Sequence, residues 1–125
     1  MILLLDTHTL IWSLGEPTRL AANARAAIAD PENDVLVSAA TVWAIAIKRG
    51  LGKLRLEADL PTEIDRIGFA GLPVSIVDGQ AAGALPRHHD DPFDRMLVAQ
   101  AQRLDAVVVS RDRAFANYDV KVLTA

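Results

Sequence analysis

Short apolar runs alternate along this chain with longer segments whose apolar residues recur every three or four positions. Ile2–Leu5 is a continuous apolar run, the mark of a strand buried on both faces. Leu10, Ile11 and Leu14 then share one helical face over Thr7–Leu14, until Gly15, Glu16 and Pro17 break the pattern. Thr18 reads as the cap of a second helix through Leu20, Ala24, Ala27 and Ile28, closed before Pro31. Val35–Val37 is the next strand, and Ser38 begins a helix to about Arg49 that Gly50 and Gly52 end. A helix is predicted over Leu60–Phe69, with Pro61 in its first turn, followed by a strand over Pro73–Val77. Asp78 opens a short helix through Ala81 and Leu85. Beyond the polar loop Pro86–Asp91, Asp91 and Pro92 start a helix through Met96, Leu97, Ala99 and Leu104. Ala106–Val109 and Val120–Leu123 are the last predicted strands.

Strands that alternate with helices and are apolar on both faces predict an α/β sandwich: a central, mainly parallel sheet of about four or five strands covered by helices. Neither a repeat nor a linker interrupts the 125 residues, which suit a single domain over 1–125. An apolar fraction of 51% excludes a disordered chain. No apolar run approaches the ~20 residues of a membrane span. The apolar start stops at Asp6 and has neither a basic opening nor a cleavage site, so it is not read as a signal peptide. With no cysteine there is neither a disulfide framework nor a thiolate metal site. A soluble cytoplasmic protein is expected. The net charge of −3 argues against coating nucleic acid by bulk attraction, but leaves open an enzyme that holds one phosphodiester at a metal centre.

In open α/β sheets ligands sit beyond the carboxyl ends of the strands. Asp6 follows the first strand, Asp112 comes shortly after the Ala106–Ser110 stretch, and Asp94 lies in the first turn of the Asp91–Leu104 helix. Each acid also has a plain structural reading. Asp6 caps a helix, Asp94 favours a helix N-terminus by roughly 0.3–1 kcal/mol of charge–dipole attraction, and Asp112 is a solvated turn residue. Joint placement at strand ends and helix starts is what favours convergence. Converging carboxylates resist ionising together unless a cation joins them. An oxygen-only donor set then favours Mg2+ or Mn2+ over Zn2+.

Four segments carry a family resemblance, in order and along essentially the whole chain. Leu3–His8 resembles the opening strand and aspartate of PIN domains, and Thr41–Gly50 resembles the helix that bears their glutamate. The run His89-Asp90-Asp91-Pro92-Phe93-Asp94-Arg95-Met96-Leu97-Val98-Ala99-Gln100-Ala101 closely resembles their third motif, and Val109–Phe115 their fourth. Within the family the chain resembles the VapC-type toxins of toxin–antitoxin pairs. The resemblance implies a PIN-like α/β/α sandwich and a site made of Asp6, an acid at position 44, Asp94 and Asp112, holding Mg2+ or Mn2+. It implies RNA cleavage by metal-activated water, with Thr7 or Ser110 orienting water or a ligand. It further implies a small VapB-type antitoxin as partner, and a homodimer.

The departure is Ala44, which the resemblance reads as the replacement of a glutamate. Thr41, Ala44 and Lys48 share one helix face, and a glutamate at 44 would stand four residues before Lys48, the favourable order for that pair. Alanine keeps the helix, so a folded protein with little or no cleavage is expected. Lys48, Arg49, Arg95, Arg111 and Arg113 are candidates for RNA phosphate contact, with surface charge as the alternative and Arg95 and Arg111 the first to test. His88 and His89, adjacent in a loop, are read as solvated or as touching RNA rather than as metal ligands. Trp12 and Trp43 are read as core or interface packing. Two rivals remain. An α/β phosphoryl-transfer enzyme could use Asp6, although His8 stands where dehalogenase-type phosphatases carry a second aspartate. A non-catalytic protein-binding domain could use its acids only as helix caps.

Overall fold

A computed structural model describes all residues 1–125. Five strands, β1 (Ile2–Leu5), β2 (Asp34–Ser38), β3 (Ala70–Leu72), β4 (Val107–Ser110) and β5 (Lys121–Thr124), form one sheet in the order β3-β2-β1-β4-β5. Every pairing is parallel: Leu3 stands opposite Val35 on one side and Val107 on the other. Parallel strands need crossovers, and six helices supply and flank them: α1 (Thr7–Gly15), α2 (Ala22–Ala29), α3 (Ala39–Gly50), α4 (Leu60–Ile67), α5 (Ile76–Ala84) and α6 (Pro92–Leu104).

The alternation of β1 divides the core. Leu3 and Leu5 point to a layer with Leu10 of α1, Ala24 of α2, Ile45 of α3 and Ile64 of α4. Leu4 points to the other face, against Leu97, Val98 and Ala101 of α6 and Phe115. All three leucines are fully buried. Sandwiching the sheet in this way explains why the central strands read as unbroken apolar runs.

Two predicted elements need correction. The strand expected over Pro73–Val77 is instead β3 at Ala70–Leu72, paired to Leu36–Ser38. Ile76 and Val77 open α5, because Ser75 and Asp78 form a reciprocal capping box: the Asp78 amide donates to Ser75 Oγ (3.0 Å) and the Ser75 amide to Asp78 Oδ2 (3.1 Å). The side chains of Ile76 and Val77 lie exposed as a result. The helix expected from Thr18 is split into a 3-10 turn at Pro17–Arg19 and α2, because Leu20 turns extended to enter the core. Gly68, at φ 89°, ends α4 two residues before β3 begins.

Candidate active site

The strand order changes direction between β1 and β4, and the carboxyl ends of these two neighbours make the crevice where such sheets bind ligands. Asp6 leaves β1 here and Asp112 follows β4. Asp94 arrives from the first turn of α6, one turn after the helix cap Asp91, whose Oδ1 accepts the Phe93 and Asp94 amides. The three acids border one cleft of about 360 Å³.

Capping and convergence are not alternatives here, because two of the acids divide the tasks between their oxygens. Asp6 Oδ1 accepts the Thr9 amide at 3.0 Å and caps α1, while Oδ2 accepts the hydroxyl of Ser110. Asp112 Oδ1 accepts the Ala114 amide at 2.9 Å and caps the 3-10 turn Arg113–Asn117, while Oδ2 faces the cleft. Asp94 Oδ2 faces Asp112 across a group absent from the expected site: His89 Nε2 lies 2.8 Å from Asp94 Oδ2 and 3.2 Å from Asp112 Oδ2. His89, expected to be solvated or to touch RNA, instead lies between these two acids.

Asp94 is the electrostatic focus. Burial pushes its carboxyl up to about 6, and the nearby charges of Asp91, Asp6 and Asp112 add to that push against the opposing pull of His89. A cation between these carboxylates relieves both causes, since it replaces lost hydration and screens the repulsion. The ligand atoms of His89, Asp94 and Asp112 lie within 4.8 Å of one another, close enough to share one divalent ion, and Asp6 borders the same cleft.

The sequence model of the PIN domain matches residues 3–121. The chain belongs to the PIN-domain family. PIN domains are generally nucleases that use divalent metal. Among solved structures, this PIN domain resembles VapBC2 from Rickettsia felis bound to a DNA fragment from its promoter, with a TM-score of 0.70, 14% identity and 98% of each chain covered. It also resembles FitAcB from Neisseria gonorrhoeae, with a TM-score of 0.67, 22% identity, and 99% of this chain and 97% of that one covered. DNA-bound VapBC from Salmonella typhimurium is similar as well, with a TM-score of 0.66, 18% identity, and 98% of this chain and 97% of that one covered. Among curated protein sequences, none matches significantly.

The remaining predicted residues of the PIN domain divide into two groups. Thr7, Lys48 and Arg111 line the cleft. Ala44 is buried one turn before Lys48 on the same face of α3, beside buried Thr41. Ser110 is buried and joins two acids, donating to Asp6 and accepting the Asp112 amide at 2.9 Å.

Arg95 does not face the cleft. It is buried, and its guanidinium donates to the carbonyls of Ala82, Leu85 and Pro86 at 2.9, 2.9 and 3.0 Å, so it holds the α5–α6 loop instead of meeting phosphate. A buried guanidinium needs such acceptors, and the helical spacing of α6 turns this side chain inward. Arg113 is exposed but stands outside the cleft lining. Arg111 is partly committed: it donates to the backbone oxygens of Ala125 and Arg19 and packs 4.3 Å over the Trp12 ring. Trp12 borders the cleft, whereas Trp43 is exposed and meets Phe93 edge-on at 5.5 Å, so it is not a core residue.

Proposed function

We propose that this single PIN domain over 1–125 is the toxin of a toxin–antitoxin pair, built as an Mg2+- or Mn2+-dependent endoribonuclease and impaired in this chain by Ala44. The observation that carries the reading is the meeting of Asp6, Asp94 and Asp112 from three distant segments in one cleft at the switch point of a parallel sheet. The rival in which the acids serve only as caps accounts for one oxygen of Asp6 and one of Asp112. It does not account for Asp94, whose carboxyl is turned toward the other acids at an electrostatic cost.

Asp6, Asp94 and Asp112 are the residues that would hold the ion, and their oxygens favour Mg2+ or Mn2+. Such an ion supplies water activation and charge neutralisation at a phosphodiester. The protein's own groups do the rest. Ser110 fixes the orientation of Asp6, Thr7 stands at the cleft wall to orient water or a ligand, and Lys48 and Arg111 offer positive charge to the RNA backbone at the rim. Ala44 removes the carboxylate expected beside Lys48, which leaves a weaker metal site on an intact helix.

The similar structures are of VapBC and FitAcB, which supports a VapB-type antitoxin as partner. An apolar groove lined by Trp43, Val74, Phe93 and Met96 supports a homodimer, because exposed aromatic surface of this kind favours burial. No helix is long and apolar enough to cross a membrane.

Mn2+ titration tests the reading against its non-enzymatic rival. Binding is expected for the chain itself and should fall at least tenfold in Asp94→Asn and in Asp112→Asn, roughly the scale of a lost site group. Absence of binding, or binding indifferent to both substitutions, would overturn it.

A further inference from the structure

We propose that His89 is a positioning residue of the metal site: its imidazole donates through Nε2–H to Asp112, in close polar contact with Asp94, and stays outside the ligand set of the ion. The proposal rests on the metal-site reading above, but its argument comes from the other side of the ring.

The distances alone leave two roles open. Nε2 at 3.2 Å from Asp112 Oδ2 suits a donor, with Asp94 Oδ2 in polar contact at 2.8 Å. It would also suit a nitrogen and two oxygens arranged as neighbouring ligands around one ion. The Asp91 amide decides between them. It donates to His89 Nδ1 at 3.2 Å, so Nδ1 carries a lone pair. A neutral imidazole has one donor and one acceptor, which puts the proton on Nε2, toward Asp112. A histidine that binds metal through Nε2 shows the reverse arrangement, with Nδ1–H donated to a carbonyl or carboxylate. Ligation here would bring Nδ1–H against the Asp91 N–H at the cap of α6.

The ring is held so that this choice persists. The His89 amide donates to Tyr118 Oη at 2.9 Å, and Tyr118 Oη donates to the Pro86 carbonyl at 2.9 Å. The ring meets buried Phe115 at 6.3 Å with its plane inclined by 70°. The backbone and one ring edge are thus fixed while Nε2 alone faces the acids. The ring stands between a carboxylate on a helix start and one beyond a strand end. Withholding a nitrogen ligand also keeps the donor set all-oxygen, which selects hard cations over Zn2+.

The test uses the intact chain with 15N-labelled histidine, read by long-range 1H–15N correlation without metal and with saturating Mg2+, together with Mn2+ titrations of His89→Gln and His89→Ala. The expected result is an Nε2–H imidazole in both states. Glutamine, whose amide can donate to Asp112, should bind Mn2+ within about threefold of the unsubstituted protein, and alanine about tenfold more weakly, with both variants titrated well below their thermal midpoints. An imidazole that carries its proton on Nδ1, with or without Mg2+, overturns the donor role while leaving Mn2+ binding intact. His89→Ala that binds Mn2+ as tightly as the unsubstituted chain overturns it as well. If the unsubstituted protein binds no Mn2+, this role and the metal reading fall together.

Discussion

Ser110 and Asp6 are joined across the two central strands: the Ser110 hydroxyl at the end of β4 donates to Asp6 Oδ2 at the end of β1. Ser110 Oγ in turn accepts the Asp112 amide. One buried hydroxyl therefore sets the orientation of the first acid and the turn that carries the last.

Ser110→Ala should disturb both. It leaves a buried carboxylate oxygen and an amide without partners, a loss of about 1–3 kcal/mol. Chemical denaturation should report that loss, and Mn2+ titration a weaker site. A variant as stable and as competent in binding as the parent would show that the hydroxyl has no such role.

Two carboxyl groups should titrate in opposite senses. Asp94 is raised to about 6 by burial and by neighbouring acids, so the folded state holds a proton that the unfolded chain has released. Its contribution to the metal-free protein is present below about pH 4 and is lost as pH rises through about 6. Because an ion must displace that proton, Mn2+ affinity should rise between pH 5 and 7, roughly in step with the ionisation of Asp94. Calorimetry in buffers of different ionisation heat should detect proton release at pH 5.5 and little at pH 7.5. A pH-independent affinity would contradict this.

Asp78 is held down to about 2, chiefly by the Arg103 guanidinium, which meets it through Nε and Nη2 at 2.6 and 3.0 Å. Its folded pKa lies below the unfolded value, so its stabilisation is present above about pH 4 and is lost as pH falls toward 2. Asp78→Asn should lower the denaturation midpoint at pH 7 and have much less effect at pH 2.5. An equal loss at both values would remove the ion pair from the explanation.

Arg95 belongs to the scaffold. Arg95→Ala removes the donor of the Ala82, Leu85 and Pro86 carbonyls at the end of α5 and in the loop after it, and should cost about 3 kcal/mol. Arg113→Ala, at an exposed position, should leave stability within about 0.5 kcal/mol. Thermal unfolding of the two variants compares them directly, and equal midpoints would contradict the assignment.

The groove around Trp43 makes a separate claim. Trp43→Glu should shift the protein from dimer to monomer in size-exclusion chromatography with light scattering, without loss of helical signal. A parent that is monomeric at high micromolar concentration would remove the homodimer.

Residues with one dominant demand were legible in the sequence. Leu3, Leu4 and Leu5 must all be buried, which fixes β1, and Asp91-Pro92 leaves little choice but a helix start. Residues that answer two demands were harder to read. Ile76 and Val77 have strand-like side chains, yet the Ser75–Asp78 capping box outweighs that preference. Arg95 sits among the site motifs, but its reach to Ala82 and Leu85 depends on how α5 packs on α6, which no local pattern reveals. His89 carried no spacing that distinguishes a loop histidine from a site histidine; only the fold brings it to Asp112, 23 positions away.

Restoring the missing acid is the most direct measurement. Ala44→Glu and the parent chain would be incubated with structured and unstructured RNAs in Mg2+, in Mn2+ and with chelator, and the products resolved on a denaturing gel. Chelator-sensitive internal cleavage by Ala44→Glu, with at least a hundredfold less by the parent, a gap of about 2.7 kcal/mol in transition-state stabilisation, is the predicted result. Failure of Ala44→Glu to cleave any RNA under metal, or equal cleavage by both proteins, would contradict the account.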